Sequence, residues 1–141
     1  VSVSAAAPAV VFVCARNSVR SPMAEALWRR RFGPGVQAVS CGVTPAAWAD
    51  GFMIAVMAEL GEDMSRFECR DIEATAHDPA GLVVCLAEEA DAAAGAYAMR
   101  RGAPYELWPV IDPAAAGGSR ESRLEAYRSV REEIEARIAR R

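Results

Sequence analysis

Short, continuous apolar runs alternate along the chain with longer segments whose apolar residues keep helical spacing. "AVVFVC" (9–14) and "GLVVCLA" (81–87) are valine-rich runs without polar alternation, the pattern of strands buried on both faces. "VQAVSCGV" (36–43) reads as a further strand, and "PYELWPV" (104–110) as a short fourth strand or extended edge. Between them the pattern changes period. "SPMAEALWRRRF" (21–32) predicts a helix with Ser21 as N-cap, Pro22 at its first position and "GPG" (33–35) as its stop. "AAWADGFMIAVMAELG" (46–61) predicts a second, with Phe52, Val56 and Leu60 on one face and Gly61 ending it. An alanine-rich helix follows the 81–87 strand as far as about Arg101. A last helix is capped by Ser119 and carries Leu124, Tyr127, Val130, Ile134 and Ile138 on its apolar stripe. Residues 62–80 read as irregular with at most one short helix, and residues 1–8 as a flexible leader.

Strands alternating with helices predict an α/β fold: a single three-layer domain over residues 9–141, with a four-stranded parallel sheet and helices on both faces. No internal repeat or interdomain linker interrupts it. In such sheets ligands bind outside the carboxyl ends of the strands, and Cys14 falls at one of those ends.

Composition narrows the function classes. A net charge of −3 argues against nucleic-acid and anionic-membrane surfaces as partners. All 16 basic residues are arginine, which excludes a catalytic lysine. Cys14, Cys41, Cys69 and Cys85 show no C-x-x-C spacing, and the one histidine, His77, leaves no zinc-ligand set. His77 reads as a turn residue. No metal or cofactor is expected. No stretch approaches the roughly 20 apolar residues of a membrane span, and the N-terminus lacks the basic segment of a signal peptide. A cytoplasmic protein with reduced thiols is the expectation.

The chemistry concentrates in "VFVCARNSVRSPMAEAL" (11–27), where Cys14 and Arg20 stand in C-x5-R spacing. The spacing alone is a common coincidence, but the placement is not. Between a buried strand and a helix start, backbone N–H groups converge on an anion. A phosphate dianion there would be cradled by the amides of Ala15, Arg16, Asn17, Ser18, Val19 and Arg20, with the Arg20 guanidinium gripping two oxygens. The same setting would hold Cys14 as a thiolate, with Ser21 able to donate its hydroxyl to the sulfur. Asn17 suits a left-handed turn inside the loop.

"FVCARNSVRSPMAEA" resembles the phosphate-binding loop of the low-molecular-weight protein tyrosine phosphatase family, with which the thioredoxin-coupled arsenate reductases share fold and loop. The resemblance implies Cys14 as nucleophile, Arg20 as phosphate ligand, Ser21 as thiolate partner and Asn17 as loop organiser. It implies that Asp112, in "WPVIDP", is the general acid, followed by Pro113 on a loop before the last helix. "SCGVTP" (40–45) is similar to the family's second-strand segment and makes Ser40 a support for the loop. The likeness spans about residues 9 to 138.

The chain also departs from the family pattern. Val19 stands where many phosphatases carry a second, redox-guarding cysteine, and Arg16 where they carry glycine. Ala114 and Ala115 follow Asp-Pro in place of pocket aromatics, and Trp48 and Trp108 are candidates for aromatic walls. The resemblance implies a hydrolase of phosphomonoesters, protein phosphotyrosine foremost, working through a phosphocysteine. The expected ligands are a phosphorylated protein or small phosphomonoester, with inorganic phosphate or sulfate at the loop. The alternative is arsenate reduction by the same cysteine. Thioredoxin-coupled members need two further cysteines after the third strand; Cys85 lies within that strand and none follows, so reduction here would draw on an external thiol.

Overall fold

A computed structural model of the chain describes residues 9–75 and 80–141. The leader and His77 lie outside the described residues. Strands β1 (Ala9–Cys14), β2 (Ala38–Gly42), β3 (Ala80–Cys85) and β4 (Tyr105–Leu107) alternate with helices α1 (Arg20–Phe32), α2 (Gly51–Ala58), α3 (Asp91–Arg101) and α4 (Arg120–Ala139). The sheet order is β2-β1-β3-β4 and every pairing is parallel. The fold is therefore the single α/β domain expected from the alternating pattern.

Strand period 2 divides the core into two faces. Val10 and Phe12 of β1 and Leu82 and Val84 of β3 point toward α1, α2 and α4, where Met23, Leu27, Met53, Val56, Tyr127 and Ile134 are buried. Val11, Val13, Val83 and Cys85 point the other way, toward Ala94, Tyr97 and Ala98 of α3. β1 has partners on both edges, β2 and β3, and is buried along its whole length, which accounts for its unbroken apolar run. Trp108, a candidate pocket wall in the sequence, packs in this core 6.2 Å from the Phe12 ring.

Two helix starts differ from expectation. Val19, not Ser21, precedes the first helical residue of α1, and no side chain caps that end. Ser21 is already inside the helix and its hydroxyl is directed at Cys14. The 46–61 helix is shortened to Gly51–Ala58 because the segment before it is engaged elsewhere. The N–H groups of Thr44, Ala46 and Asp50 donate to the carbonyls of Ala15, Arg16 and Ser18. Asp50 then caps α2 by accepting from the N–H groups of Phe52 and Met53.

Candidate active site

The β1–α1 loop owes its shape to where its carbonyls go. Those of Cys14, Ala15, Arg16 and Ser18 accept from the N–H groups of Val43, Thr44, Ala46 and Asp50, at 2.8–3.2 Å. With the carbonyls turned outward onto the 43–50 segment, the loop amides are left to face inward. The Asn17 N–H lies 3.3 Å from Cys14 Sγ. Asn17 has φ 53, the left-handed conformation that asparagine tolerates better than most residues. The parallel register sets Cys14 opposite Gly42. A Cβ on Gly42 would sit 2.8 Å from Arg16 C and Asn17 N, so only glycine lets β2 approach the loop this closely.

Buried hydrogen bonds hold the loop from below. Ser21 Oγ is 2.9 Å from Cys14 Sγ. Asn17 Nδ2 donates to Ser21 Oγ at 2.8 Å and to Ser40 Oγ at 3.0 Å. Asn17 Oδ1 accepts from the Arg70 N–H, and Ser40 donates to the buried Glu25 carboxylate at 2.7 Å.

Arg20 is 4% exposed and oriented from the far side. It donates to the Val110 carbonyl at 2.8 Å and to Glu89 at 2.7 Å, and comes within 3.9 Å of Asp112. The Arg20 hydrogen bond holds the Glu89 carboxyl below the usual carboxylate range. Two of the five guanidinium donors are used in this way, which leaves the others for an oxyanion.

Above the loop opens a pocket of about 380 Å³ whose lining includes Cys14, Arg16, Ser18, Arg20, Trp48 and Asp112. Cys14 lies on the floor, 2% exposed, and Asp112 on the rim, its other oxygen capping the turn at Pro113–Ala115 through the Ala114 N–H. Ala114 lines the pocket while Trp48, 79% exposed, stands at its mouth. Arg16 is exposed on the wall and has no carboxylate within salt-bridge distance among the described residues. Ala15 and Val19 complete the loop backbone.

The structure thus brings Cys14, Arg20, Ser21, Asn17, Ser40 and Asp112 to one place. Sequence reasoning missed four residues there. Asp50 lines the pocket and accepts from Tyr127 Oη, and its position before an apolar run was a readable capping signal. Gly42 and Glu89 had no such signal, because each acts through a residue distant in sequence, whereas Glu25 stood within the quoted motif with Arg29 four residues on.

The other three thiols are all raised by burial. Burial pushes the Cys41 thiol up to about 12, against the opposing hydrogen bond of Thr75. Cys85 is fully buried, donates to the Ala87 carbonyl, and is also raised, chiefly by burial. Cys69 is half-buried, and desolvation raises it as well.

Residues 9–140 match the family profile described as low molecular weight phosphotyrosine protein phosphatase. An arsenate reductase of Halalkalibacterium halodurans is 31% identical over 129 residues, covering 92% of this chain and 91% of that protein. A probable low molecular weight protein-tyrosine-phosphatase, EpsP of Ralstonia solanacearum, is 33% identical over 79 residues, 55% of this chain and 54% of that one. Among solved structures, an arsenate reductase in the phosphate binding state superposes with a TM-score of 0.74 at 27% identity, over 95% of each chain.

Proposed function

This chain belongs to the low molecular weight phosphotyrosine protein phosphatase family, and from that premise we propose that it hydrolyses phosphomonoesters through a phosphocysteine on Cys14. The observation that carries the reading is the loop with its carbonyls turned outward, Cys14 beneath it and Asp112 across the same pocket. The phosphoryl oxygens are held by the amides of residues 15–20 and by the donors of Arg20 left free by Glu89 and Val110. The Cys14 thiolate attacks phosphorus, and the bond to the leaving oxygen breaks as Asp112 gives that oxygen a proton. The Asp112 carboxylate then takes a proton from water, whose oxygen displaces the thiolate and releases inorganic phosphate. Ser21 donates to the sulfur as nucleophile and again as leaving group. Substrates are phosphorylated proteins or small phosphomonoesters, the leaving group lying against Trp48 and the small Ala114.

A second reading is favoured by the identity to arsenate reductases over nine-tenths of the chain. In it Cys14 attacks arsenic, water departs with the proton of Asp112, and an external thiol attacks the Cys14 sulfur. The sulfur–arsenic electron pair stays on arsenic as arsenite leaves, and a mixed disulfide remains for a second thiol to reduce. The external thiol is required because Cys85 is buried and no cysteine follows it.

The test is p-nitrophenyl phosphate hydrolysis beside thiol-dependent arsenate reduction, with Cys14→Ser and Asp112→Asn in parallel. Hydrolysis abolished by Cys14→Ser is expected. Asp112→Asn should slow esters with poor leaving groups by roughly 10²–10⁴-fold and good ones less, because only poor leaving groups need the proton. Reduction without hydrolysis would select the second reading, and activity persisting in folded Cys14→Ser would exclude both.

A further inference from the structure

The charged side chains lining the pocket are engaged by their neighbours, with one exception among the described residues. Asp50 Oδ1 accepts from the Phe52 and Met53 N–H groups, and its Oδ2 from Tyr127 Oη. Asp112 Oδ1 accepts from the Ala114 N–H while its Oδ2 lies 3.9 Å from Arg20, which is itself held by Val110 and Glu89. Arg16 lines the same pocket and is exposed, yet its guanidinium has neither hydrogen bond nor ion pair among the described residues. Carboxylates are not scarce in a chain of net charge −3. Arg30, Arg100 and Arg128 each meet one at 2.8–3.3 Å.

The backbone fixes where Arg16 stands. Its carbonyl accepts from the Ala46 N–H and that of Ser18 from the Asp50 N–H, so the 43–50 segment carries the acid to the α2 end of the loop and leaves the arginine at the other. Arg70 is rooted at that other end. Its N–H donates to Asn17 Oδ1 and its carbonyl accepts from the Gly42 N–H, and its exposed side chain also lacks an ion pair among the described residues. A phosphoryl group in the loop draws on backbone amides and Arg20, which leaves the Arg16 side chain free for a different group. A second anion on the substrate is repelled by Asp50 and Asp112 and attracted by Arg16. We propose that Arg16 is a specificity-determining residue: it selects phosphomonoesters whose leaving group carries a second anion, a carboxylate foremost, by pairing with that anion while the phosphoryl group lies in the loop. The proposal rests on the reading of the loop as a phosphoryl site.

The size of the effect follows from where the pair forms. Arg16 is solvated, and exposed ion pairs contribute little, but a guanidinium can grip a carboxylate with two parallel N–H donors, so a preference of about fivefold is expected. The pair forms with the bound ester and persists while the phosphorus–oxygen bond breaks, so it lowers KM and leaves kcat to the groups around phosphorus. It weakens as salt shortens the screening length from about 10 Å at 0.1 M to about 3 Å at 1 M.

The test compares para-carboxyphenyl phosphate with its neutral counterpart, para-carbamoylphenyl phosphate, and a peptide bearing aspartate beside phosphotyrosine with the same peptide bearing asparagine. Two quantities are read: kcat/KM in the intact protein, and calorimetric affinity in Cys14→Ser, where the esters stay whole. Arg16→Gln should reduce the acidic-to-neutral ratio about fivefold, and Arg16→Glu should take it lower still. Differences in leaving-group chemistry, and any general effect on phosphate binding, cancel in the ratio between protein and variant. Without any substitution, raising salt to about 1 M should erase most of the preference. A preference in both pairs assigns recognition to small esters as well as proteins, and one in the peptides alone assigns it to proteins; both support the proposal. A ratio that Arg16→Gln leaves unchanged in both pairs, or an equal loss on acidic and neutral esters, would overturn it. Preference in the Cys14→Ser affinities without turnover in the intact protein would count against hydrolysis and for this role of Arg16.

Discussion

At the scale of single residues the site depends most sharply on an atom that is missing. Gly42 has an ordinary backbone conformation, so strain does not require glycine there; space does. An added Cβ would meet Arg16 C at 2.8 Å, Asn17 N at 2.8 Å and Ala15 O at 2.9 Å, all of them backbone atoms that cannot rotate away. Gly42→Ala must therefore push the loop off β2, at a cost of about 1–3 kcal/mol for overpacking. The expected result is a lowered melting temperature together with weakened inhibition by inorganic phosphate. Unchanged phosphate affinity in this variant would mean that the loop amides tolerate displacement and that the site depends on Arg20 alone.

At the scale of elements α2 is the weak member. Its eight residues are too few to be stable alone in water, and it is held at both ends by α4. Tyr127 of α4 donates to Asp50, the N-cap of α2, at 2.8 Å. Glu59, at the C-terminal end of α2, receives Arg128 and Arg131 of α4, and Arg131 also donates to the Val56 carbonyl. Hydrogen bonds from Arg128 and then Arg131 hold the Glu59 carboxyl down to about 2, from its ordinary 4.5. A depressed acid contributes stability that is complete above the unfolded value and lost as pH falls through the folded one. The melting temperature should therefore decline between about pH 4.5 and 2, and Glu59→Gln should flatten that slope while leaving the Cys14 loop chemistry in place. A slope equally steep in Glu59→Gln would assign the acid sensitivity to other carboxylates.

At the scale of the whole molecule, the parallel sheet sorts three of the four thiols. Val13 of β1 pairs with Cys41 of β2 on one side and Cys85 of β3 on the other, so both flank the same inner strand and both are fully buried. Cys14 lies one residue further along β1, where the strand opens into the loop and the pocket. Reactivity toward peroxide follows thiolate character and access. Mild peroxide should oxidise Cys14 and inactivate the protein while Cys41 and Cys85 remain reduced until it unfolds, as read by differential alkylation and mass spectrometry. A disulfide between Cys14 and either buried thiol would show that the strands beside β1 open under native conditions.

Local sequence by itself determined the strand–loop–helix unit around Cys14, the general order of strands and helices, and the parallel α/β class. Each of these follows from period, turn residues and spacing within about a dozen neighbours. The start of α1 and the length of α2 escaped it. Ser21 has the chemistry of a cap, yet a buried sulfur took its hydroxyl; residues 46–50 have apolar helical spacing, yet the N–H groups of Ala46 and Asp50 were claimed by the loop. Only the tertiary structure decided that Glu89 orients Arg20 across 69 residues, that Ser40 hands Glu25 to Asn17 across 23, and that Gly42 stands against the loop backbone. The reason is physical: hydrogen-bond partners and close contacts are chosen by proximity in space, and the sheet brings together strand ends whose separation along the chain leaves no periodic trace.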